Sequence, residues 1–141
     1  MSNDLERFVR AQDERGTYGR ALAELRAGRK TSHWMWFVFP QVAGLGHSPI
    51  AQAYAIADLA EARAYLHHDT LGPRLLECCR ALLDLDDDLT AEWVLGGTDA
   101  MKLRSSMTLF ALADPDEPTY DEVLARFFDG EPDERTPALL V

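Results

Sequence analysis

Apolar positions recur at helical spacing along most of the chain, and polar capping residues punctuate them. Asn3 and Glu6 have the spacing of a capping box, and Leu5, Phe8 and Val9 follow, which predicts a short helix to about Gln12. Tyr18, Ala21, Leu22 and Leu25 share one face of a second helix, capped by Thr17 and closed by Gly28, with Arg29 and Lys30 where positive charge suits a helix end. Ser48-Pro49 reads as a cap with proline in the first turn, leading into Ile50, Ala53, Tyr54 and Ala57. Asp58 and Glu61 form a second capping box before Leu59, Ala62 and Leu66, and His67-His68-Asp69 ends that helix. From Thr70 to Leu83, the residues Leu71, Leu75, Cys78, Cys79 and Leu82 make a clear apolar stripe. Thr90 caps a short turn holding Trp93, ended by Gly96-Gly97. Thr98-Asp99 caps the next helix, whose Leu103, Met107 and Phe110 lie at i, i+4 and i+7. Asp114-Pro115 through Pro118 stops it. Thr119 and Glu122 form a third capping box, Val123, Leu124, Phe127 and Phe128 face inward, and Gly130 closes the helix. Thr136-Pro137 repeats the cap-and-proline pattern near the end.

One stretch breaks the period. Residues Lys30 to Gln41 hold two of the three tryptophans and the longest unbroken apolar run, Trp34 to Phe39. Periodicity does not separate a buried strand from a buried helix here. No other segment reads as a strand to pair with it, Ser32 is a plausible N-cap, and Pro40 pushes Phe39 out of the α region. A short helix is the expectation. Rings this dense are expected to be buried, Trp36 included, with the flanking polar groups serving the indole N–H groups. Val42 to His47 is a glycine-bearing loop. Together these signals predict an all-α fold of about six to eight helices, several short, in a single domain over residues 1–141.

Composition changes the picture mainly by exclusion. The net charge is −10, so phosphate backbones and anionic membranes are repelled, and neither nucleic acid nor membrane is an expected partner. The N-terminus does not resemble a signal peptide, and no run approaches the ~18 apolar residues of a membrane helix. A cytoplasmic location is expected. Cys78 and Cys79 are adjacent and read as reduced thiols on a helix. The acidic run Asp84 to Asp88 reads as a solvated turn, because it lacks the glycine and terminal glutamate of a calcium loop. His67 and His68 lack the i, i+4 spacing of a metal pair. No metal site and no cofactor is expected.

The candidate chemistry lies in two stretches. Lys102, Ser105, Ser106 and Leu109 share a helix face, and the glycines before that helix leave its first N–H groups available to an anion. The bland alternative is a solvated lysine with serines bonded back to the helix. His33, beside Trp34, is either a proton carrier or a histidine satisfied by backbone. No G-x-S-x-G motif is present, so Ser105 or Ser106 can act with His33 only if the fold joins them.

The motifs Ser32-His33-Trp34-Met35-Trp36-Phe37, Phe39-Pro40-Gln41 and Gly44-Leu45-Gly46 resemble the signature of a bacterial family, domain-of-unknown-function family 1810. So do Leu71-Gly72-Pro73-Arg74-Leu75 and Lys102-Leu103-Arg104-Ser105-Ser106-Met107-Thr108-Leu109-Phe110. The resemblance extends over nearly the whole chain. It implies a fold similar to a mostly helical mycobacterial protein and implies no activity. Members are sometimes labelled calpastatin, a name for a disordered protease inhibitor that this folded chain does not resemble. The family tends to have His-Pro before the Leu-Gly-Pro-Arg motif, whereas His68-Asp69 stands here, so any family role of His68 is weighted lower.

Two functions are expected on this reading. The first is a small-molecule pocket, binding or catalytic, between the two motifs. Its ligand would be anionic, as a nucleotide-derived metabolite is. His33, Lys102 and Ser105 are its candidate catalytic groups, and Lys30, Ser32, Trp34, Trp36, Gln41 and Ser106 its ligand contacts. The second is an interaction module that uses the aromatic motif as its contact surface.

Overall fold

The computed structural model describes residues 4–140, and within them the architecture is all-α. In chain order the helices are α1 (Glu6–Asp13), α2 (Thr17–Ala27), α3 (Met35–Val38), α4 (Pro49–Ala53), α5 (Leu59–His67), α6 (Leu71–Leu83), α7 (Ala91–Leu95), α8 (Gly97–Ala113), α9 (Thr119–Phe128) and α10 (Arg135–Leu139). A 3-10 turn, Glu14–Gly16, joins α1 to α2. The longest helix, α8, is the axis of the fold, with α5, α7, α9 and α10 packed against it. The second axis is α6, which packs on α2, α5 and α9. One hydrophobic cluster runs through both sets and includes Phe8, Leu25, Trp34, Tyr65, Leu75, Leu103 and Phe110, all fully buried.

Where α5 turns into α6 the backbones nearly touch. A Cβ placed on Gly72 would lie 2.1 Å from the Leu66 carbonyl oxygen. Only glycine allows that approach.

Caps follow the sequence signals at several ends. Ser48 accepts from Ala51 N–H with Pro49 in the first turn, Asp58 accepts from Glu61 N–H, and Thr90 accepts from Trp93 N–H. Gly28 closes α2 in the left-handed region at φ 80°. Elsewhere a stronger acceptor displaces the expected hydroxyl. Asp133 accepts from Thr136 N–H and from its hydroxyl. At α9 the carboxylate of Glu117 accepts from Thr119 N–H and hydroxyl, and Thr119 forms no box with Glu122. A carboxylate makes the stronger bond. At α6 the acceptor is the Nδ1 of His68, which takes the N–H groups of Thr70 and Leu71, while its Nε2 lies 3.0 Å from Glu6 of α1. Thr17 donates its hydroxyl to Glu14 instead of capping α2. The helix after Gly96 begins at Gly97 with no side-chain cap, so Thr98 and Asp99 lie inside it. Asn3, the expected cap of α1, lies outside the described residues.

The aromatic stretch is a single helical turn, α3, ended by Phe39 at φ −126° and ψ 73° ahead of Pro40. Ser32 does not cap it; Trp34 is the N-cap residue and carries no side-chain cap bond. The chain then forms one isolated parallel bridge, Val42 to Ile56, with Ala43 N–H donating to Ile56 and Ile56 N–H donating to Gln41. That bridge fastens the glycine-bearing loop to the entry of α5. The tryptophans have separate fates. Trp34 is fully buried, Trp36 is half-buried, and Trp93 is 59% exposed. A turn this short sends neighbouring side chains to different sides, so Trp36 reaches the surface where burial was expected.

Candidate functional site

The segment before α3 is organised from α2. Glu24 accepts from Thr31 N–H (2.8 Å), Ser32 N–H (3.1 Å), Ser32 Oγ (2.5 Å) and Trp34 Nε1 (2.9 Å). Burial works to raise its carboxyl pKa, but the bonds from Ser32, Thr31 and Trp34 outweigh it and hold the group at about 2. The Trp34 indole was expected to find its partner among the flanking residues. It finds it on the preceding helix. Ser32 is thereby committed to Glu24.

Lys30 and Lys102 converge on one carboxylate. The Nζ of Lys30 lies 2.9 Å from Asp99 Oδ2, and the Nζ of Lys102 lies 3.5 Å from Asp99 Oδ1. Each ammonium also sits 5.1 Å from an indole centroid, Lys30 over Trp34 and Lys102 over Trp36. The Lys30 backbone N–H donates to Val94 O of α7 at 2.7 Å. The two motif stretches therefore meet, and their junction is a lysine–aspartate–lysine clamp faced by two rings. Two positive charges meet one negative charge there, beside the first turn of α8, whose dipole end is also positive. The side chain of Lys30 is only 8% exposed, so its charge is largely desolvated and depends on Asp99.

The other candidate residues divide. Gln41, Trp36 and Lys102 line one crevice against the glycine-bearing loop and α4. Its volume is ≈ 10 Å³, room for about one water. Neither His33 nor Lys30, Ser105 or Ser106 lines it. His33 is exposed at the start of the aromatic turn. Ser105 is buried and donates to Met101 O, the back-bond one turn along α8. Ser106 is buried, and its Oγ has no hydrogen-bond partner among the described residues.

Two residues at this seam were not singled out from the sequence as site residues. Glu24 is an acid in the last turn of α2, where the dipole disfavours negative charge; that misplacement is the signal that marked it. Asp99 sits in a first turn, where an acid looks like routine capping, and nothing local distinguished it. Among the described residues no group of three or more His, Cys, Asp or Glu side chains is placed to hold a metal ion. No helix among them is long and apolar enough to cross a membrane.

An all-helical array whose aromatic turn is knotted to α2 and clamped to the head of α8 is the class of protein these features define. The chain belongs to the family described as protein of unknown function DUF1810, whose model matches residues 2–140. It is similar to the crystal structure of the conserved hypothetical protein Rv1873 from Mycobacterium tuberculosis, with 50% identity over 98% of this chain and 96% of that chain and a TM-score of 0.94. No curated protein matches the chain.

Proposed function

We propose that the protein binds a small anionic molecule at the seam between the aromatic turn and the head of α8. The observation that carries this reading is the clamp, in which two ammonium groups share one carboxylate and leave an excess positive charge fixed beside an indole. Lys102 is the more accessible of the two cations and would meet the anion. The outer face of Trp36 would stack on a flat portion of the ligand, as a nucleotide-derived molecule carries, and Gln41 would fix its orientation. Lys30 would hold Asp99 in place. Ser105, bonded within α8, would position the helix that carries Lys102. His33, exposed beside this seam in sequence, is the group we assign to proton exchange if the bound molecule is turned over. A crevice that holds about one water requires the ligand to bind on its outer side or to displace the Gly44–Gly46 loop. The same reading places the protein in the cytoplasm, in keeping with two free buried cysteines.

Partner docking through the aromatic motif has less support. Trp34, Phe37, Val38 and Phe39 are buried, which leaves the partly buried Trp36 as the ring of the motif open to a partner.

The test is thermal unfolding with AMP, ADP and citrate, in the wild type and in Lys102→Ala. A ligand at a hundredfold its Kd adds about 2.7 kcal/mol to stability. The expected result is a saturable rise in Tm with at least one of these anions that Lys102→Ala abolishes. No rise with any of them, or an equal rise in the variant, rejects the proposal.

A further inference from the structure

A larger cavity than that crevice lies between α2 and α6. It measures ≈ 500 Å³, within the range of sites that take whole small ligands. Three guanidinium groups line it: Arg26 from α2, and Arg74 and Arg80 from α6. Their states differ. Arg74 is held rigidly: its Nη1 donates to Gln12 Oε1, its Nη2 lies 2.8 Å from Asp13, and its guanidinium stacks 4.7 Å from the centroid of Tyr18. Two of its five N–H donors are used in those bonds, and its side chain remains 25% exposed. Arg80 is exposed and makes no ion pair or hydrogen bond among the described residues. It lies one turn from Asp84 without pairing with it.

The acids of the cleft engage Arg26 and Arg74 and leave Arg80 without a partner among the described residues. Glu77 is already engaged, by the Tyr18 hydroxyl and by Arg26 at 3.7 Å. With Asp84, and with Asp13 on Arg74, three carboxylates stand against three arginines, so the cleft offers an anion the unengaged guanidinium of Arg80 and the remaining N–H donors of Arg74, and no net charge. Ala81 and Leu85 supply apolar wall.

We infer that this cleft is a second binding site, for a small molecule that presents a carboxylate or phosphate to Arg80 and Arg74 and lays an apolar portion against Ala81 and Leu85. Guanidinium forks match both oxyanions in bidentate geometry. Arg74 is preorganised for this by Gln12, Asp13 and Tyr18, so little order is lost when an oxyanion arrives. Arg80 closes on it as the mobile partner. The site shares no residue with the lysine–aspartate–lysine clamp and does not depend on a ligand there.

Amide NMR titration of the whole chain with inorganic phosphate and, separately, with citrate tests the inference. The expected result is saturable shifts at α2 and α6 amides around Arg26 and Arg80 at millimolar probe. Arg80→Ala should weaken the binding about tenfold, as loss of a charge-assisted contact does, and raised salt should weaken it further. Lys102→Ala should leave it unchanged, which separates this site from the clamp. The probe that saturates first identifies the oxyanion. Arg80 is exposed and its side chain makes no ion pair or hydrogen bond among the described residues, so its variant is expected to keep the fold. Absence of saturable α2–α6 shifts with both probes, or equal affinity in Arg80→Ala, overturns the inference.

Discussion

The indole nitrogen of Trp34 donates to Glu24 at 2.9 Å, and the same carboxylate takes the Ser32 hydroxyl and two backbone N–H groups. One side chain on α2 thus satisfies most of the polar demand of the turn that precedes α3. That lets a fully buried tryptophan keep its N–H paired, which an apolar setting requires.

The pH dependence follows from Glu24. Its carboxyl sits at about 2 in the folded chain, below its ordinary 4.5. A depressed folded value means the contribution is complete above the unfolded value and is lost as pH falls from about 4.5 toward 2. Allowing for partial exposure, its size is on the order of 2 kcal/mol. Urea unfolding at steps through that window should show wild type and Glu24→Gln converging at the acid end. A constant gap between them across the window would contradict the assignment.

The two neighbouring indoles should respond unequally. Trp34→Ala is expected to cost about 3–5 kcal/mol, as for a large buried aromatic. Trp36→Ala, at a partly buried ring roofed by Lys102, should cost roughly 1–2 kcal/mol. Denaturant midpoints of the two variants compare them directly. Equal losses would show that the burial of Trp36 has been underestimated.

How much of this was legible beforehand varies with the kind of signal. Local signals were readable. The helical periods, the Ser48, Asp58 and Thr90 caps and the Gly28 stop all appear where the chain alone places them, because the residues that make them are a few positions apart. The all-α architecture followed. Two motif stretches were expected to share a pocket; Lys30 and Lys102 meet at Asp99, whereas His33, Ser105 and Ser106 do not line the crevice beside Gln41. The link between the two stretches, Asp99, is an acid that looks like an ordinary first-turn residue. Glu24 differs: an acid in the last turn of α2 is a misplaced charge that marks it, but its partners are set by how the loop after α2 folds back. The partial exposure of Trp36 and the His68 cap likewise depend on tertiary placement, which neither period nor spacing encodes.

The clamp makes its own prediction. Asp99→Asn removes the counter-charge of Lys30, whose side chain is only 8% exposed, and should cost about 1–3 kcal/mol. Adding Lys30→Met should recover part of the loss, since the stranded charge is then gone. A double-mutant cycle measures this coupling. Additive losses would mean the two groups act independently.

Gly72→Ala should be among the most damaging small changes in the chain. The new methyl would meet a backbone oxygen at 2.1 Å, which cannot rotate away. A loss of about 3 kcal/mol or more is expected. A thermal melt decides it; an almost unchanged midpoint would show that α5 and α6 separate easily.

The Glu24 bonds and the clamp also differ in when they form. Glu24 meets partners only seven to ten residues away, so closing that loop costs little entropy and needs no other helix in place. Asp99 reaches Lys30 only after α8 has docked across about half of the chain, the late and costly kind of contact. In stopped-flow chevrons Glu24→Gln should therefore lower the refolding rate, while Asp99→Asn should leave refolding nearly intact and raise the unfolding rate. The clamp would then govern how long the folded chain survives once made, and the knot on α2 how quickly it is made.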